Sequence, residues 1–242
     1  MSQPGPPRRK ARSVRQIISS TRHLLLDFDG PICSIYAEIP DATVAEELRG
    51  ILRAAGVSFP AEVESEPDPL AVFSHAAGLS PQTADLAQRE LTKLETRAAA
   101  TAKPTEGAAE LIATAAATGR TVIIVSNNSS YAILEYLAIH RIGPVAGVVG
   151  RDESDPELMK PSPYLVRAAM SILDAHPDEC AFVGDSTTDM LAGRLAGVAA
   201  IGYANKPGKA ELLTQAGADA VTTGLDEITT ALRLAPPSAV RG

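Results

Sequence analysis

Residues 23–34 read "HLLLDFDGPICS", and this stretch decides how the rest of the chain is interpreted. A short apolar run leads into two aspartates, Asp27 and Asp29, which flank Phe28 and precede a Gly-Pro pair. An apolar run that stops at charge and at a turn dipeptide is typical of a buried strand. Alternate residues of an extended segment point to the same side, so both carboxylates can address one ligand. The stretch therefore predicts a buried strand with two carboxylates at its carboxyl end.

The rest of the chain alternates short apolar runs with amphipathic stretches from residue 104 onward. The apolar runs, rich in Val, Ile and Ala, are residues 121–128, 145–150, 179–186, 198–204 and 218–223. Helical spacing is found in residues 106–118, 129–139, 161–175, 187–196 and 207–216. Strands that alternate with helices indicate a parallel sheet covered by helices. The fold class predicted is α/β, a doubly wound parallel-sheet core.

A segment of different character separates the first strand from this series. Residues 41–56 and 80–100 have helical spacing of apolar residues, and no strand is evident between them. We therefore expect a small all-helical cap over residues 33–103, and a core made of residues 23–32 and 104–234. Residues 1–22 are predicted to be a basic flexible tail, and residues 235–242 a frayed C-terminus. The cap is expected to close over the site and to favour small substrates.

Composition limits the possible partners. The chain has 242 residues, 45% of them apolar and 21% charged, with only two cysteines, and no run is long and apolar enough to span a membrane. These features favour a soluble cytoplasmic protein. Residues 1–22 hold six of the 22 Lys and Arg and no acid, which leaves 16 basic residues against 29 acidic ones. A solvated tail is the favoured interpretation, and the acidic body without tryptophan argues against nucleic acid as the main ligand.

Polar residues follow several of the predicted strands. In an open parallel sheet, ligands bind beyond the carboxyl ends of the strands, so these side chains should converge on one crevice. Taken singly, Ser126 could be a helix cap, Lys160 a surface charge and Asp189 a first-turn acid. Lys160 is expected at the start of the helix that follows the 145–150 strand. The candidate residues are Asp27, Asp29, Ser126, Asn127, Lys160, Asp185 and Asp189.

The acidic residues in this set need a cation. Carboxylates about 4 Å apart repel by roughly 4 kcal/mol per pair at an effective dielectric constant of 20. Oxygen ligands alone suit a hard ion such as Mg²⁺, and no His or Cys lies in these motifs, which disfavours zinc. A lysine, a hydroxyl and helix N-terminal amides supply what a phosphate dianion requires. The residues therefore favour a magnesium-assisted phosphate site.

The motifs "DFDG", "VSNN", "KPSP" and "GDSTTD", in this order, resemble those of the haloacid dehalogenase-like hydrolases. The resemblance covers residues 23 to about 230 and is to the phosphatase branch with a helical cap after the first strand, which includes phosphoglycolate phosphatases and beta-phosphoglucomutases. It implies a magnesium-dependent phosphomonoester hydrolase that acts on a small phosphorylated metabolite through an aspartyl phosphate.

The same resemblance implies roles for individual residues. Asp27 would attack phosphorus, and Asp29 would protonate the leaving alkoxide and then activate water. Ser126 and the amide of Asn127 would bind the phosphoryl oxygens, and Lys160 would neutralise charge.

For the metal, the resemblance implies that Asp27, Asp185 and the carbonyl of Asp29 hold Mg²⁺, with Asp189 supporting them. Pro31 and Ser34 depart from residues common in the family, and both lie in the hinge that leads to the cap.

Three alternatives to a metabolite phosphatase remain. A sugar phosphomutase would share every core residue, a non-catalytic phosphate-binding regulatory module could keep the fold, and the basic tail could serve a nucleic-acid-processing phosphatase. The cap also offers possible substrate contacts, which are Arg49, Arg53, His75, Arg89, Lys93 and Arg97.

Overall fold

The computed structural model describes residues 12–151 and 153–235. Its centre is a sheet of six parallel strands in the order β3-β2-β1-β4-β5-β6. The doubly wound α/β core predicted from the alternation of apolar runs is confirmed. The strands are β1 (His23–Leu26), β2 (Thr121–Val125), β3 (Gly147–Val149), β4 (Cys180–Gly184), β5 (Ala199–Tyr203) and β6 (Ala220–Thr222).

The helices cover both faces of the sheet and the segment after β1. They are α1 (Val14–Ile18), α2 (Asp41–Ala54), α3 (Ala61–Glu64), α4 (Pro69–Ala77), α5 (Pro81–Thr101), α6 (Ala108–Ala117), α7 (Ser130–His140), α8 (Tyr164–Leu173), α9 (Thr187–Ala196), α10 (Lys209–Ala216) and α11 (Leu225–Leu234). Two short 3₁₀ helices span Pro156–Leu158 and Pro177–Glu179. Within the described residues, no helix is both long and apolar enough to cross a bilayer.

Strand β1 lies in the middle of the sheet, between β2 and β4, and its three leucines are buried on both faces. Leu24 and Leu26 belong to the apolar cluster on one face, whereas Leu25 belongs to the cluster on the other. Leu25 lies in register with Ile123 of β2 and Phe182 of β4. A strand buried on both faces needs the continuous apolar run seen in the sequence. The residues that follow β1 are therefore placed at the middle of the sheet's carboxyl edge.

Helices α2 to α5 form an apolar cluster of their own, which includes Leu48, Phe73 and Leu91. The hydroxyl of Ser80 accepts a hydrogen bond from the amide of Thr83 (3.1 Å) and so caps the start of α5. Helix α5 also packs against α7 of the core. This packing places the cap helices beside the carboxyl edge of the sheet.

The predicted flexible tail is wrong for residues 12–22. Val14, Ile17 and Ile18 are buried, and helix α1 packs against α11. The backbone amide of Arg12 donates to the carbonyl of Asp219 (2.9 Å). The apolar residues of this short helix cover core surface, although five helical residues are too few for periodicity to reveal a buried face. Residues 1–11 and 236–242, which include most of the predicted frayed C-terminus, lie outside the described residues.

Candidate active site

Asp27 directly follows β1 and is held at the centre of the site by its backbone. Its amide donates to the carbonyl of Val183 (2.9 Å), which continues the β1–β4 pairing by one residue. The side chain is buried, and its Oδ1 accepts a hydrogen bond from Lys160 Nζ (2.7 Å). Phe28 turns into the core and packs edge-on against Tyr136, with ring centroids 5.1 Å apart. The structure thus directs Asp27 toward the crevice and Phe28 away from it.

Lys160 lies between two buried carboxylates. Its Nζ donates to Asp27 (2.7 Å) and to Asp189 (2.5 Å), and also contacts the carbonyl of Val125 (3.3 Å). Burial alone would lower the pKa of this ammonium, but the negative charges of Asp189 and Asp27 outweigh that effect and raise the pKa. Lys160 therefore stays charged at any physiological pH.

The backbone around Lys160 is fixed by a side chain from another strand end. Asn127 Oδ1 accepts from the Lys160 amide (2.8 Å), and Asn127 Nδ2 donates to the Lys160 carbonyl (3.1 Å). The prediction that Lys160 begins a helix is wrong, because α8 begins only at Tyr164. The backbone of Lys160 is paired with Asn127 instead of with helical neighbours.

Asp189 is fully buried in the first turn of α9. Its Oδ1 contacts Lys160, while Oδ2 accepts from the amide (3.0 Å) and hydroxyl (2.6 Å) of Ser186. A side chain at Gly184 would meet this carboxylate, since a Cβ there would lie 2.5 Å from Asp189 Cγ. Both oxygens of Asp189 are thus engaged, and the geometry suits it to holding Lys160.

Asp185 follows β4 and faces the end of β1. Its Oδ2 accepts from Asn205 Nδ2 (3.0 Å) and contacts Lys209 Nζ. A Cβ at Gly30 would lie 2.5 Å from Asp185 Cγ, and Gly30 has a φ of +106°. Only glycine satisfies both conditions, which explains the glycine of the "DFDG" motif.

Asp29 lies on the same cavity wall as Asp27. Its Oδ1 accepts from the amide of Ile35 (3.0 Å), at the start of the segment that leads to the cap. Burial is the main cause that raises the pKa of Asp29 to about 6, and the neighbouring charge of Asp185 adds to it. A carboxyl group with such a pKa can hold and release a proton near neutral pH, as a general acid and base must.

The carboxylates form a group that suits a hard cation. Oxygens of Asp27, Asp185 and Asp189 all lie within 4.8 Å of one another. Burial and the charge of Asp189 raise the pKa of Asp27 even though Lys160 opposes them, so the protein alone leaves negative charge uncompensated there. Both oxygens of Asp189 are held by Lys160 and Ser186, whereas Asp27 and Asp185 each keep one oxygen without a hydrogen bond to a described residue. Asp27 and Asp185 are therefore the carboxylates suited to Mg²⁺, which prefers few carboxylates with other oxygens.

Ser126 and its neighbours form a loop at the end of β2. The Ser126 amide donates to the carbonyl of Val149 (3.0 Å), and the Ser126 hydroxyl accepts from the amide of Asn128 (3.3 Å). Ser126, Asn127 and Asn128 line the same cavity as Asp27 and Lys160. The structure therefore brings all the sequence-predicted site residues to one edge of the sheet.

A buried ion pair joins this loop to the cap. Glu95 on α5 and Arg151 after β3 form two hydrogen bonds, of 2.8 and 3.0 Å. Glu95 also accepts from Asn128 Nδ2 (3.2 Å) and the Ser129 amide (3.0 Å), and Arg151 donates to the carbonyl of Asn127 (2.8 Å). A cap helix thus holds the backbone of residues 127–129.

Sequence reasoning missed this pair. A signal was present, because Arg151 follows the predicted strand 145–150 directly. Glu95 also lies one residue from Leu94 and four from Leu91, on the apolar face of the predicted helix 80–100. An acid on an apolar helix face needs a buried partner.

The cap residues that line the cavity are not the ones expected from the sequence. None of the six cap residues suggested as substrate contacts lines the cavity. Arg49 donates to the carbonyl of Glu66 (2.6 Å), and the ring of His75 packs against Phe59. The cap residues that do line the cavity are Tyr36, Asp41, Asp68, Pro69 and Leu70.

Comparison with known proteins identifies the family. The model of the haloacid dehalogenase-like hydrolases matches residues 21–197. Among curated proteins, none matches the chain.

Several solved structures share the fold. A hydrolase from Pseudomonas syringae is 21% identical with a TM-score of 0.64, and the match covers 88% of this chain and 99% of that one. A family hydrolase from Deinococcus radiodurans R1, with bound phosphate and sodium, is 24% identical with a TM-score of 0.58, over 91% and 100% of the two chains. CbbY from Rhodobacter sphaeroides, in complex with phosphate, is 19% identical with a TM-score of 0.63, over 88% and 99%. At these identities the likeness shows the fold alone.

Proposed function

The chain belongs to the haloacid dehalogenase-like hydrolases, and we propose that it is a magnesium-dependent phosphatase of a small phosphorylated metabolite that works through an aspartyl phosphate. The observation that carries the proposal is the position of Asp27. Its carboxylate lies 2.7 Å from a buried lysine and shares one cavity with Ser126, Asp29 and Asp185. This combination offers a nucleophile, a cation for the phosphoryl charge, and a proton donor.

In the first half of the reaction, an oxygen of Asp27 attacks phosphorus and the bond to the leaving oxygen breaks. Lys160 engages Oδ1 of Asp27, so Oδ2 is the oxygen we assign to the attack. Asp29 gives its proton to the leaving alkoxide, which departs as an alcohol. The raised pKa of Asp29, about 6, suits this transfer.

In the second half, Asp29 takes a proton from a water molecule, and the resulting hydroxide attacks the phosphorus of the aspartyl phosphate. Asp27 leaves as a carboxylate and inorganic phosphate is released. Ser126 and the amide of Asn127 donate hydrogen bonds to the phosphoryl oxygens, and the charge of Lys160 offsets the negative charge in both halves.

Asp27, Asp185 and the carbonyl of Asp29 are the residues we assign to Mg²⁺. When bound, the ion supplies positive charge that offsets the carboxylates and the phosphoryl oxygens. Without a metal cation, the carboxylates of Asp27 and Asp185 would repel a phosphate dianion. Lys160 alone does not offset this repulsion, because its charge is already shared between Asp27 and Asp189.

The size of the cavity supports a small substrate. Its volume is about 230 Å³, which is below the roughly 300–1,000 Å³ of typical small-molecule sites. A polynucleotide or folded phosphoprotein could place only its phosphorylated end there.

Phosphate release by the purified full-length protein tests the proposal. We expect hydrolysis of p-nitrophenyl phosphate and of small phosphomonoesters with Mg²⁺, and no hydrolysis in EDTA. Release of inorganic phosphate separates this function from a phosphomutase, which would yield an isomer instead. Absence of phosphate release from every monoester in the presence of Mg²⁺ would refute the proposed function.

A further inference from the structure

The charge of the cavity is unusual for a protein that binds phosphate esters. Five aspartates and one lysine line it, and no arginine or histidine does so among the described residues. Three of the aspartates, with Lys160, belong to the proposed phosphate and metal end. The other two, Asp41 and Asp68, line the cavity from the cap and are exposed to solvent. That end of the cavity carries negative charge alone.

The two cap carboxylates have no cationic partner within the part of the chain that the structure describes, since neither takes part in an ion pair there. Two cations of the cap are engaged elsewhere: Arg49 and Arg53 pair with Glu46, at 2.9 and 3.0 Å. Asp41 and Asp68 each begin a helix and accept a backbone amide (2.7 and 2.8 Å). These bonds fix the positions of the carboxylates without neutralising their full charge.

A further polar group on this wall has no hydrogen-bond partner among the residues that the structure describes. Tyr36 lines the cavity, and its hydroxyl is buried without a hydrogen bond to any described residue. Burial, above all, raises the pKa of Tyr36 well above its ordinary value, so the hydroxyl keeps its proton. A buried polar group without a partner is costly unless a ligand or water satisfies it. Pro69 and Leu70 complete the wall with apolar surface.

We propose that the cavity selects phosphomonoesters of short amino alcohols, whose ammonium group lies against Asp41 and Asp68. This inference rests on the proposed phosphatase function. The ammonium neutralises the cap wall, and its short methylene chain fits against Pro69 and Leu70. A leaving group with a carboxylate or a second phosphate would instead place like charges together near the protein surface, where repulsion is stronger than in bulk water.

Three substrates with the same two-carbon backbone test the proposal: aminoethyl phosphate, hydroxyethyl phosphate and phosphoglycolate. They differ mainly in whether the terminal group is positive, neutral or negative. We expect kcat/KM to fall in that order, with aminoethyl phosphate above phosphoglycolate by at least about tenfold, as two ion pairs at partly exposed sites would give. If either of the other two substrates has the highest kcat/KM, the proposal is overturned.

Substitution of the cap carboxylates supplies the second measurement. Asp68 caps α4, a role that Asn fills as well as Asp, and Asp41 is the exposed first residue of α2, so the Asp41→Asn/Asp68→Asn protein should fold. Its kcat/KM ratio for aminoethyl phosphate over phosphoglycolate should drop by about tenfold or more. The ratio is taken within each protein, so a general loss of activity cancels. Glu62→Gln, on the exposed helix α3, is the matched control and should leave the ratio unchanged.

The outcomes separate the two proposals. Hydrolysis of p-nitrophenyl phosphate together with an unchanged ratio in the double variant overturns the amino-alcohol assignment and leaves the phosphatase standing. Failure to hydrolyse any phosphomonoester overturns the phosphatase, and the amino-alcohol assignment with it.

Discussion

Arg151 and Glu95 form a fully buried, two-point ion pair between the loop after β3 and helix α5 of the cap. The same two side chains bind the carbonyl of Asn127 and the amide of Ser129. The cap is therefore tied to the loop that we assign to phosphate binding. Any movement of α5 away from Arg151 must break this pair, so the position of α5 and the geometry of the loop are coupled.

Glu95→Gln should destabilise the protein strongly. The substitution leaves Arg151 charged and buried, and breaking a buried pair in this way costs about 3–5 kcal/mol. Urea denaturation would measure the loss. Glu90→Gln is the matched control on the same helix, because its partner Lys93 is exposed; we expect a change of no more than about 1 kcal/mol. Equal losses of unfolding free energy in the two variants would show that the buried pair contributes no more to stability than the exposed pair.

Asn127→Ala should reduce kcat more than it changes magnesium affinity. The alanine removes both hydrogen bonds that hold the backbone of Lys160. A displaced catalytic group of this kind can lower the rate by about 10- to 100-fold. Steady-state kinetics with p-nitrophenyl phosphate and calorimetric titration with Mg²⁺ would separate the two effects. Wild-type kcat in the alanine variant would contradict the positioning role of Asn127.

Asp185→Ala should weaken magnesium binding. Asp185 faces Asp27 across the carboxyl edge of the sheet, and its removal takes away one of the two carboxylates assigned to the ion. We expect the Kd for Mg²⁺ to rise by at least about tenfold, which corresponds to a loss of about 1.4 kcal/mol of binding free energy. Titration calorimetry measures this without turnover. The exposed Glu62→Gln should bind Mg²⁺ as the wild type does, and an unchanged Kd in Asp185→Ala would remove Asp185 from the metal site.

Removal of helix α1 should lower the melting temperature of the protein. The protein that lacks residues 1–11 is the reference, because α1 remains intact in it. Deletion of residues 1–19 exposes core surface now covered by Ile17 and Ile18, whose burial contributes about 1.5–3 kcal/mol each. Thermal unfolding followed by circular dichroism compares the two proteins. If the two proteins have the same melting temperature, α1 does not support the core.

The sequence predicted the sheet and the convergence of the site because strand ends in a parallel sheet share one edge. Asp27, Ser126 and Asp185 each directly follow an apolar run, so their position needed only the order of elements. The partners of Glu95 and Asn127 lie on other elements, 56 and 33 positions away. Such contacts depend on how the helices and strands pack together, and the local sequence pattern contains no information about this packing. Helix α1 was missed because its length is close to a single helical turn.

The central claim is that Asp27 carries the phosphoryl group during turnover. Rapid acid quench of the full-length protein turning over p-nitrophenyl phosphate, followed by borohydride reduction and peptide mass spectrometry, examines this directly, because reduction converts an aspartyl phosphate to homoserine. We predict homoserine at position 27 in the wild type, and neither homoserine nor activity in Asp27→Asn, which keeps the size of the side chain and loses its nucleophilic charge. Full turnover without homoserine at position 27, or activity of Asp27→Asn within about tenfold of the wild type, would contradict the covalent mechanism.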